Sequence, residues 1–531
     1  MGRARIAMLP AHQRCPSGPT CCNCGRARGR VFLKASAGYL SPARRSLLAY
    51  LLPPEGQCGS TPPRARDMVL PHGLIYGSLV LGLVAALVVI GTDRKQLSSI
   101  SNLLTGEDKL ARFQRMYLPG FLLAMLADWL QGPFVYALYQ GYGIDREHNG
   151  YLFVGGFGAS AVFGTVVGSY ADKFGRRKFA ILYCMIYFGH CLTKHWGIFG
   201  ALMVGRVLGG ISTSLLFSVF DSWLVSESQR EGFSGEQLGN TFSLAYFGSS
   251  VAAIAAGQFG EIAANLAPLT KLGGGMYYGG YVTPFDLANV VLVLCMLFVS
   301  SRWKENYGNE SDGQAGGSFA KALSAMLADK KILLCGLICS SFESSMFIFV
   351  FNWTPCLMEE GQPVPPFGHI FTGFMVFCLL GTRVYAYLAG KLAVEEIGLI
   401  VMVVSTACHL TVFFFESVQI RFVAFLAFEA CVGLYFPMMG TLKGEIVPED
   451  MRSTIYNLYR LPLNVVVLMP LLLNFSISTT FAVTSTILTV AVFSASCLKS
   501  VPKSAKALDQ DPEAVMMIGR DHREGSEKIK A

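Results

Sequence analysis

Long apolar segments alternate with short polar ones along most of this chain, and this is its dominant pattern. A helix that crosses a bilayer needs about 20 predominantly apolar residues. Thirteen segments meet that requirement, and most of the connections between them are short. They lie at 71–90, 113–140, 147–170, 179–196, 198–224, 237–258, 282–300, 332–357, 367–388, 396–416, 422–442, 454–474 and 479–498. The pattern predicts an all-α polytopic membrane protein.

Composition supports this interpretation. Of the 531 residues, 52% are hydrophobic and only 15% are charged, and the mean hydropathy is +0.46. A water-soluble domain of this length would need more charged residues to cover its surface. The formal net charge of +8 does not indicate nucleic-acid binding, because most of the basic residues can be placed on one side of a membrane.

If the first segment is set aside, the remaining twelve form two groups of six. The predicted divisions are a basic extension at 1–67, an extra membrane helix with a cytoplasmic link at 68–110, a six-helix bundle at 111–300, a cytoplasmic linker at 301–331, a second six-helix bundle at 332–498 and a cytoplasmic tail at 499–531. Two such halves place a substrate site at their interface near the middle of the bilayer. Alternating access is then the rocking of one half against the other.

The basic residues predict the orientation. With the loop at 168–178 in the cytoplasm, the cytoplasmic segments hold 25 of the 43 Lys and Arg and the opposite loops hold 4. This agrees with the positive-inside rule. The extension at 1–67 holds eleven more and would lie on the wrong side. It is either a cleaved targeting segment or an artefact of a gene model whose true start is Met68.

The loop Gly168-Ser-Tyr-Ala-Asp172-Lys-Phe-Gly175-Arg176-Arg177 joins two predicted spans. Its spacing resembles the signature loop between the second and third helices of major facilitator transporters. In that superfamily an acid near the cytoplasmic end of the fourth helix often bridges to the arginine of the loop. The resemblance therefore implies a gate formed by Gly168, Asp172, Gly175, Arg176 and Asp221.

If groups at helix ends such as Asp286 and Glu416 are left aside, seven acidic or basic residues lie within the predicted spans: Asp128, Arg206, Asp221, Glu343, Arg383, Glu429 and Arg460. Placing such a side chain in the middle of a bilayer costs about 2.5–3.5 kcal/mol on insertion scales. Each of them therefore needs a partner or a functional role. Arg460 is the best candidate anion ligand, because a guanidinium stays charged and its donor fork suits tetrahedral oxyanions. The alternative is a permanent ion pair of Arg460 with Glu343 or Glu429.

The other charges also leave two interpretations open. Asp128 and Gln131 share a helix face, so Asp128 either pairs with a neighbouring helix or faces the cavity as a proton carrier or as the partner of an arginine. Arg206 either reaches towards the membrane surface or pairs with an acid, or it takes part in coupling. Glu429 neutralises an arginine in one state of the cycle.

Motifs of enzymes and metal sites are missing from the sequence. It contains no G-x-S-x-G, H-E-x-x-H or G-x-x-x-x-G-K-[ST] string. Cys21 and Cys24 have C-x-x-C spacing, but no second such pair completes a zinc site. We therefore expect no catalytic residues, no metal and no cofactor, and transport driven by a gradient or running downhill.

Several strings resemble a narrower group, the molybdate-anion transporters of the major facilitator superfamily. The matching strings are Ala127-Asp-Trp-Leu-Gln-Gly-Pro133, Gly205-Arg-Val-Leu-Gly-Gly-Ile-Ser-Thr213, Phe342-Glu-Ser344, Trp353-Thr-Pro355, Gly433-Leu-Tyr-Phe-Pro437 and Tyr459-Arg-Leu-Pro-Leu463. The likeness runs from about Met68 to Val501. It implies the major facilitator fold, preceded by one extra helix, and uptake of molybdate.

Carried over residue by residue, the resemblance implies that substrate is bound by Arg460, Arg206, Asp128, Gln131, Glu343 and Glu429. The implied partners are molybdate or a similar oxyanion, protons and the lipid bilayer, and the expected location is the plasma membrane. Two alternatives stay open. The protein could carry another anion or a small solute, or it could be a membrane sensor that does not transport.

Overall fold

The structure is a computed structural model that describes residues 70–308, 315–358, 363–448 and 451–501. The predicted extension at 1–67 and most of the predicted tail at 499–531 lie outside these residues. Seventeen α-helices are described: α1 His72–Thr92, α2 Arg94–Thr105, α3 Lys109–Gln131, α4 Val135–Gly141, α5 Arg146–Gly164, α6 Val167–Phe174, α7 Arg176–Leu192, α8 Phe199–Arg230, α9 Gly235–Ala264, α10 Thr283–Arg302, α11 Ala315–Ala328, α12 Lys330–Leu357, α13 Phe367–Leu388, α14 Val394–Phe414, α15 Val418–Ile446, α16 Arg452–Leu472 and α17 Ile477–Ser500.

The membrane spans agree with the apolar pattern. In the described part of the chain, eleven helical segments are long and apolar enough to cross a membrane, and the bent pair α5–α6 makes a twelfth. Helix α7 has 17 residues and continues into a three-residue 3-10 turn, Thr193–His195. All thirteen predicted segments are therefore helical. The prediction of two six-helix bundles preceded by one helix is confirmed. Helices α3–α10 form the N-half, and α12–α17 form the C-half.

Polar residues fix where the spans begin. The carboxylate of Asp108 accepts a hydrogen bond from the Ala111 amide at the start of α3 (2.7 Å), and Asp145 accepts one from the His148 amide at the start of α5 (2.8 Å). Ser234 begins α9 with a capping box. Such caps satisfy amides that have no partner within the helix, so each apolar run starts at a defined residue.

Two predicted single helices are interrupted. The segment predicted at 113–140 contains the 3-10 turn Gly132–Phe134, because Pro133 has no amide hydrogen to continue the α-helical bonding. The segment predicted at 147–170 bends by 49° between α5 and α6. At that break the hydroxyl of Thr165 donates to the Val162 carbonyl (2.7 Å) and competes with the backbone ladder.

The extra helix α1 packs on the C-half. Gly82 lies so close to α13 that a Cβ there would be 2.8 Å from the side chain of Val376. After α1, the short helix α2 packs on the N-half, where Arg115 of α3 donates to the Leu103 and Gly106 carbonyls (3.1 and 2.8 Å). Asp93 joins the two helices. The region 68–110 therefore contacts both halves.

Two polar connections carry structure that the sequence did not reveal. The predicted linker at 301–331 contains an extended segment after α10 and the helix α11. On the opposite side of the membrane, β1 (Thr270–Gly273) and β2 (Met276–Tyr278) form an antiparallel hairpin. This hairpin touches the α7–α8 connection through the Gly197 amide, which donates to the Gly275 carbonyl (2.9 Å).

Candidate functional site

The two halves are joined by polar contacts at the outer ends of their helices. Arg146 of α5 donates to the Asn352 side chain of α12 (2.9 Å). The Gly368 amide of α13 donates to the Glu261 carboxylate of α9 (2.7 Å). A short distance further in, Gln258 donates to Thr372 (2.7 Å). These contacts hold the outer ends of the halves together.

An aromatic layer lies just inside these contacts. Phe153 of α5 meets Phe351 of α12 edge-on, with 4.8 Å between ring centres. Tyr136 of α4 meets the same Phe351 at 5.5 Å. One turn deeper, Phe157 meets Phe347 at 5.5 Å. Apolar rings packed between the halves seal the interface from the outer side.

Helix α16 contacts the N-half at one end and carries exposed polar residues towards the other. At its outer end the Leu471 carbonyl is so close to α5 that a Cβ on Gly150 would lie 3.1 Å away. Asn464, Arg460 and Asn457 follow on the same face at helical spacing. Both Arg460 and Asn457 are exposed. Because this face contacts the N-half at its outer end, we interpret its exposed inner part as facing the space between the halves, as in an inward-facing conformation.

Arg460 carries an exposed guanidinium. The side chain is exposed, and the described residues provide no hydrogen bond, ion pair or aromatic contact to its guanidinium. The pairs with Glu343 or Glu429 that the sequence left open are not formed. An exposed guanidinium that has no protein partner is suited to bind an anion.

Glu343 instead pairs with Lys443. Its carboxylate lies 3.5 Å from the Lys443 ammonium, and it accepts hydrogen bonds from Tyr435 (2.9 Å) and the Cys339 thiol (3.1 Å). Sequence analysis missed Lys443, because a lysine in the last turn of α15 was assigned to the cytoplasmic surface. Glu429, one of the predicted ligands, is 6% exposed, and no ion pair or hydrogen bond to it is described.

Asp128 and Gln131 converge on one tyrosine of α7. The Tyr187 hydroxyl donates to Asp128 (2.6 Å) and accepts a hydrogen bond from Gln131. The two residues share a helix face, as their spacing predicts. Asp128 is half-buried and forms no ion pair with a described base.

Arg206 lies behind the aromatic layer. Its guanidinium carbon is 3.9 Å from the centre of the Phe153 ring and 5.7 Å from that of Tyr139. Its Nε is buried and has no hydrogen-bond partner. Arg206 and Arg460 therefore belong to different parts of the interface. Next to Arg206 lies Lys194, which is near the outer end of the predicted span 179–196 and is 0% exposed.

The signature loop is folded onto the start of the linker. Arg176 pairs with Asp172 (2.7 Å), the Arg176 amide donates to the Asn306 carbonyl (3.0 Å) and the Gly308 amide to the Asp172 carbonyl (2.9 Å). Gly175 has φ +112°, and a Cβ there would lie 2.6 Å from the Glu305 carboxyl carbon. Only glycine fits this position.

The predicted gate residues are only partly brought together. Asp221 lies apart from the loop and accepts a hydrogen bond from Tyr246 of α9 (3.3 Å). Gly168 has open space where a side chain would be. Besides Asn306 and Gly308, the loop contacts Glu305, which accepts a hydrogen bond from the Arg177 amide (2.8 Å). Glu305 follows the last helix of the half and had no sequence signal.

Comparisons with known proteins agree with this architecture. A family model described as sugar transporters with 12 transmembrane segments matches residues 75–433. The solved structures of a D-xylose-proton symporter and of the nucleoside transporter NupG share the fold. Their TM-scores are 0.55 and 0.56 at 13% and 10% identity, over 73% and 74% of this chain and 96% and 100% of theirs.

Curated relatives narrow the family. The molybdate-anion transporter of Xenopus laevis is 34% identical over 72% of this chain and 84% of its own length, and that of Takifugu rubripes is 31% identical over 74% and 86%. The fold, the spans and these relatives describe a multi-pass integral membrane transporter and not an enzyme. The chain belongs to the molybdate-anion transporter family of the major facilitator superfamily.

Proposed function

We propose that this protein is a secondary active transporter that takes up molybdate, or a similar tetrahedral oxyanion, by alternating access. The observation that carries the proposal is Arg460, whose guanidinium is exposed and has no described protein partner. Molybdate is proposed as the substrate because the curated relatives are named molybdate-anion transporters. A sugar, which the broader family model names, would not need an unpaired guanidinium.

The remaining predicted ligands take different roles in this proposal. Arg206 attracts the anion, and Asp128 with Gln131 lines the N-half side of the path. Glu343 orients Lys443 and keeps it charged. Asp128 is the better proton carrier of the two acids, because its protonation would break no ion pair, whereas protonation of Glu343 would leave Lys443 unpaired.

The signature loop acts as the cytoplasmic gate. In the inward-facing conformation Asp172, Gly175 and Arg176 are held by the linker segment. We propose that Asp221 reaches Arg176 only when the cytoplasmic ends of the halves close. Gly168 provides the room in which the bent second span adjusts. Replacing Asp221 with Asn should then slow transport while leaving molybdate affinity nearly unchanged.

Flux of labelled molybdate into proteoliposomes that contain the full chain tests the proposal. We expect uptake by the wild type, at least a tenfold loss for Arg460→Ala and partial recovery for Arg460→Lys, because lysine keeps the charge and loses the fork. Arg302→Ala, at an exposed helix end, is the matched control. Equal uptake by the wild type and Arg460→Ala would remove the ligand assignment.

The same vesicles separate the alternatives. Sulfate that competes as well as molybdate would widen the cargo to oxyanions in general. Binding without flux would identify a sensor, and uptake that ignores a pH gradient would remove proton coupling. We also propose the plasma membrane as the site of action, which surface labelling of the full chain in its own cells would check.

A further inference from the structure

Three basic side chains are buried together in the N-half, and no ion pair to a carboxylate is described for any of them. Lys194 is 0% exposed, His190 is 2% exposed, and Arg206 is partly covered by rings. Lys194 and Arg206 lie 5.2 Å and 5.7 Å from the centre of the same Tyr139 ring. Among the described residues, no carboxylate pairs with either of them. The buried basic groups of this cluster therefore have no ion-pair partner among the described residues.

The helix packing makes room for the cluster. A Cβ on Gly205 of α8 would lie 3.2 Å from the Lys194 ammonium, and one on Gly209 would lie 2.6 Å from Nδ1 of His190. Glycine at these two positions lets α7 and its terminal turn bring their basic groups beside Arg206. The two glycines of the Gly205-Arg206…Gly209 string therefore leave space for the basic side chains as well as for close helix packing.

Two nitrogens of the cluster have no hydrogen-bond partner among the described residues. Lys194 donates to the Tyr139 hydroxyl (2.8 Å), and no other hydrogen bond from its ammonium is described. His190 Nδ1 lies 2.5 Å from the Gly205 carbonyl and must donate to it. Nε2 of His190 and Nε of Arg206 are both buried without a partner. An imidazolium would present a further N–H at Nε2.

We propose that Lys194, Arg206 and His190 form a second subsite for a tetrahedral oxyanion dianion, used when the outer side opens. The subsite rests on the proposed function and extends it to a defined set of ligands. An anion bound there would neutralise the buried charge and accept hydrogen bonds from the free donors.

The location fits capture from the outer side. Arg206 lies against Phe153, and Phe153 and Tyr136 both meet Phe351 across the interface. Separation of the outer ends would remove Phe351 and uncover the cluster. Arg460 lies nearer the cytoplasmic end and is exposed in the present conformation. The anion would pass from the cluster to Arg460 as the halves rock.

Lys194→Gln tests the subsite in the full chain. We expect it to raise the KM for molybdate uptake about tenfold or more, with Lys194→Arg close to the wild type. It should also reduce the rise in melting temperature that molybdate causes in the detergent-purified wild type, and the remaining rise would come from binding at Arg460. Lys271→Gln is the matched control, because Lys271 also lies over a tyrosine ring (5.7 Å, Tyr277) but is exposed on the hairpin. Tyr139→Phe, which keeps the ring, should have a smaller effect than Lys194→Gln.

The outcomes separate this subsite from the proposed function. Unchanged molybdate affinity in Lys194→Gln, with uptake by the wild type intact, would overturn the subsite alone. If the wild type moves no molybdate, thermal shifts with molybdate, sulfate and phosphate still report on the cluster. A shift in the wild type that Lys194→Gln reduces would then support an anion site without transport, and no shift with any of the three would overturn the subsite. If Lys194→Gln does not purify as a single species, His190→Gln provides the same readouts.

Discussion

The fourth helices of the two halves, α8 and α15, share one packing scheme and carry opposite charges. In α8, Arg206 is followed four residues later by Gly210, where a Cβ would overlap the Gly156 carbonyl of α5. In α15, Glu429 is followed four residues later by Gly433, where a Cβ would overlap the Cys378 carbonyl of α13. The close crossing of second and fourth helices is common to both halves, and only the charge beside it is reversed.

The reversal continues at the inner ends of these helices. There α8 carries Asp221 and α15 carries Lys443. Positive charge is therefore placed towards the outer side in the N-half, at Arg206 and Lys194, and towards the cytoplasm in the C-half, at Lys443 and Arg460. The comparison teaches that two halves built on the same tight helix crossing differ in where they carry positive charge.

The largest effect should come from filling the shared crossing. Gly433→Ala should cost about 3 kcal/mol of stability, because the new Cβ meets a backbone carbonyl that cannot turn aside. Gly210→Ala should behave in the same way. Gly440→Ala, on the same helix as Gly433 but with no atom within 4 Å of the added Cβ, is the control. Melting of the detergent-purified proteins measures the difference. Normal melting of both crossing variants would show that the crossings are not the rigid element of each half.

Removal of the Glu343 charge should have the next largest effect. Glu343→Gln leaves the Lys443 ammonium half-buried and unpaired, and we expect a loss of about 2 kcal/mol. The double variant Glu343→Gln with Lys443→Met should regain most of that loss, because it removes both charges. Thermal melting of the two variants gives the result. If the double variant is less stable than the single one, the unpaired Lys443 ammonium is not the cause of the loss of stability.

Removal of the Glu429 charge should raise the stability of the protein, whereas removal of the Glu343 charge should lower it. This carboxylate is buried and has no described partner, so Glu429→Gln should stabilise the inward-facing protein by about 1 kcal/mol. Arg206→Gln at the equivalent position should weaken molybdate uptake and Glu429→Gln should not, because only the guanidinium is proposed to bind the anion. If Glu429→Gln lowers the melting temperature, a partner must form in this conformation and the contrast between the halves disappears.

The smallest effect concerns the outer rim of the N-half, where His195 lies 2.8 Å from Asp286. The hydrogen bond with Asp286 raises the pKa of His195 above its usual value. Its contribution to stability is complete below about pH 6.5, the value for an unfolded histidine, and is lost as the pH rises through the raised pKa. His195→Asn should thus lower the free energy of unfolding at pH 6 by less than about 1 kcal/mol, and by less still at pH 9. Melting curves at the two pH values measure the difference. A difference that does not change with pH would exclude this titration.

Much of the scaffold could be predicted, because crossing a bilayer demands long apolar runs whose ends are visible in the sequence. The thirteen spans, the two bundles and the shared face of Asp128 and Gln131 follow from that demand. The bend at Thr165 and the hairpin at 270–278 were missed. Both depend on local hydrogen bonding that hydropathy does not report.

The pairing of charges was beyond the sequence. Lys194 and Lys443 lie near helix ends, where a lysine ordinarily reaches water, and only the tertiary packing turns them inwards. Glu343 had several bases within plausible reach, and spacing along the chain could not select Lys443 over Arg460. Glu305 met the signature loop through the path of the chain after α10, which follows from packing and not from a motif.

The junction of α1 and α2 has a practical consequence. Helix α1 is attached to the C-half, where Asp93 at its end pairs with Arg383 (2.7 Å), and α2 is attached to the N-half through Arg115. Rocking of the halves must therefore change the angle between α1 and α2, two helices outside the proposed cargo path. Spectroscopic labels on α1 and α2 would follow each turnover in real time, whatever solute is carried, and would make the extra helix a reporter of the cycle.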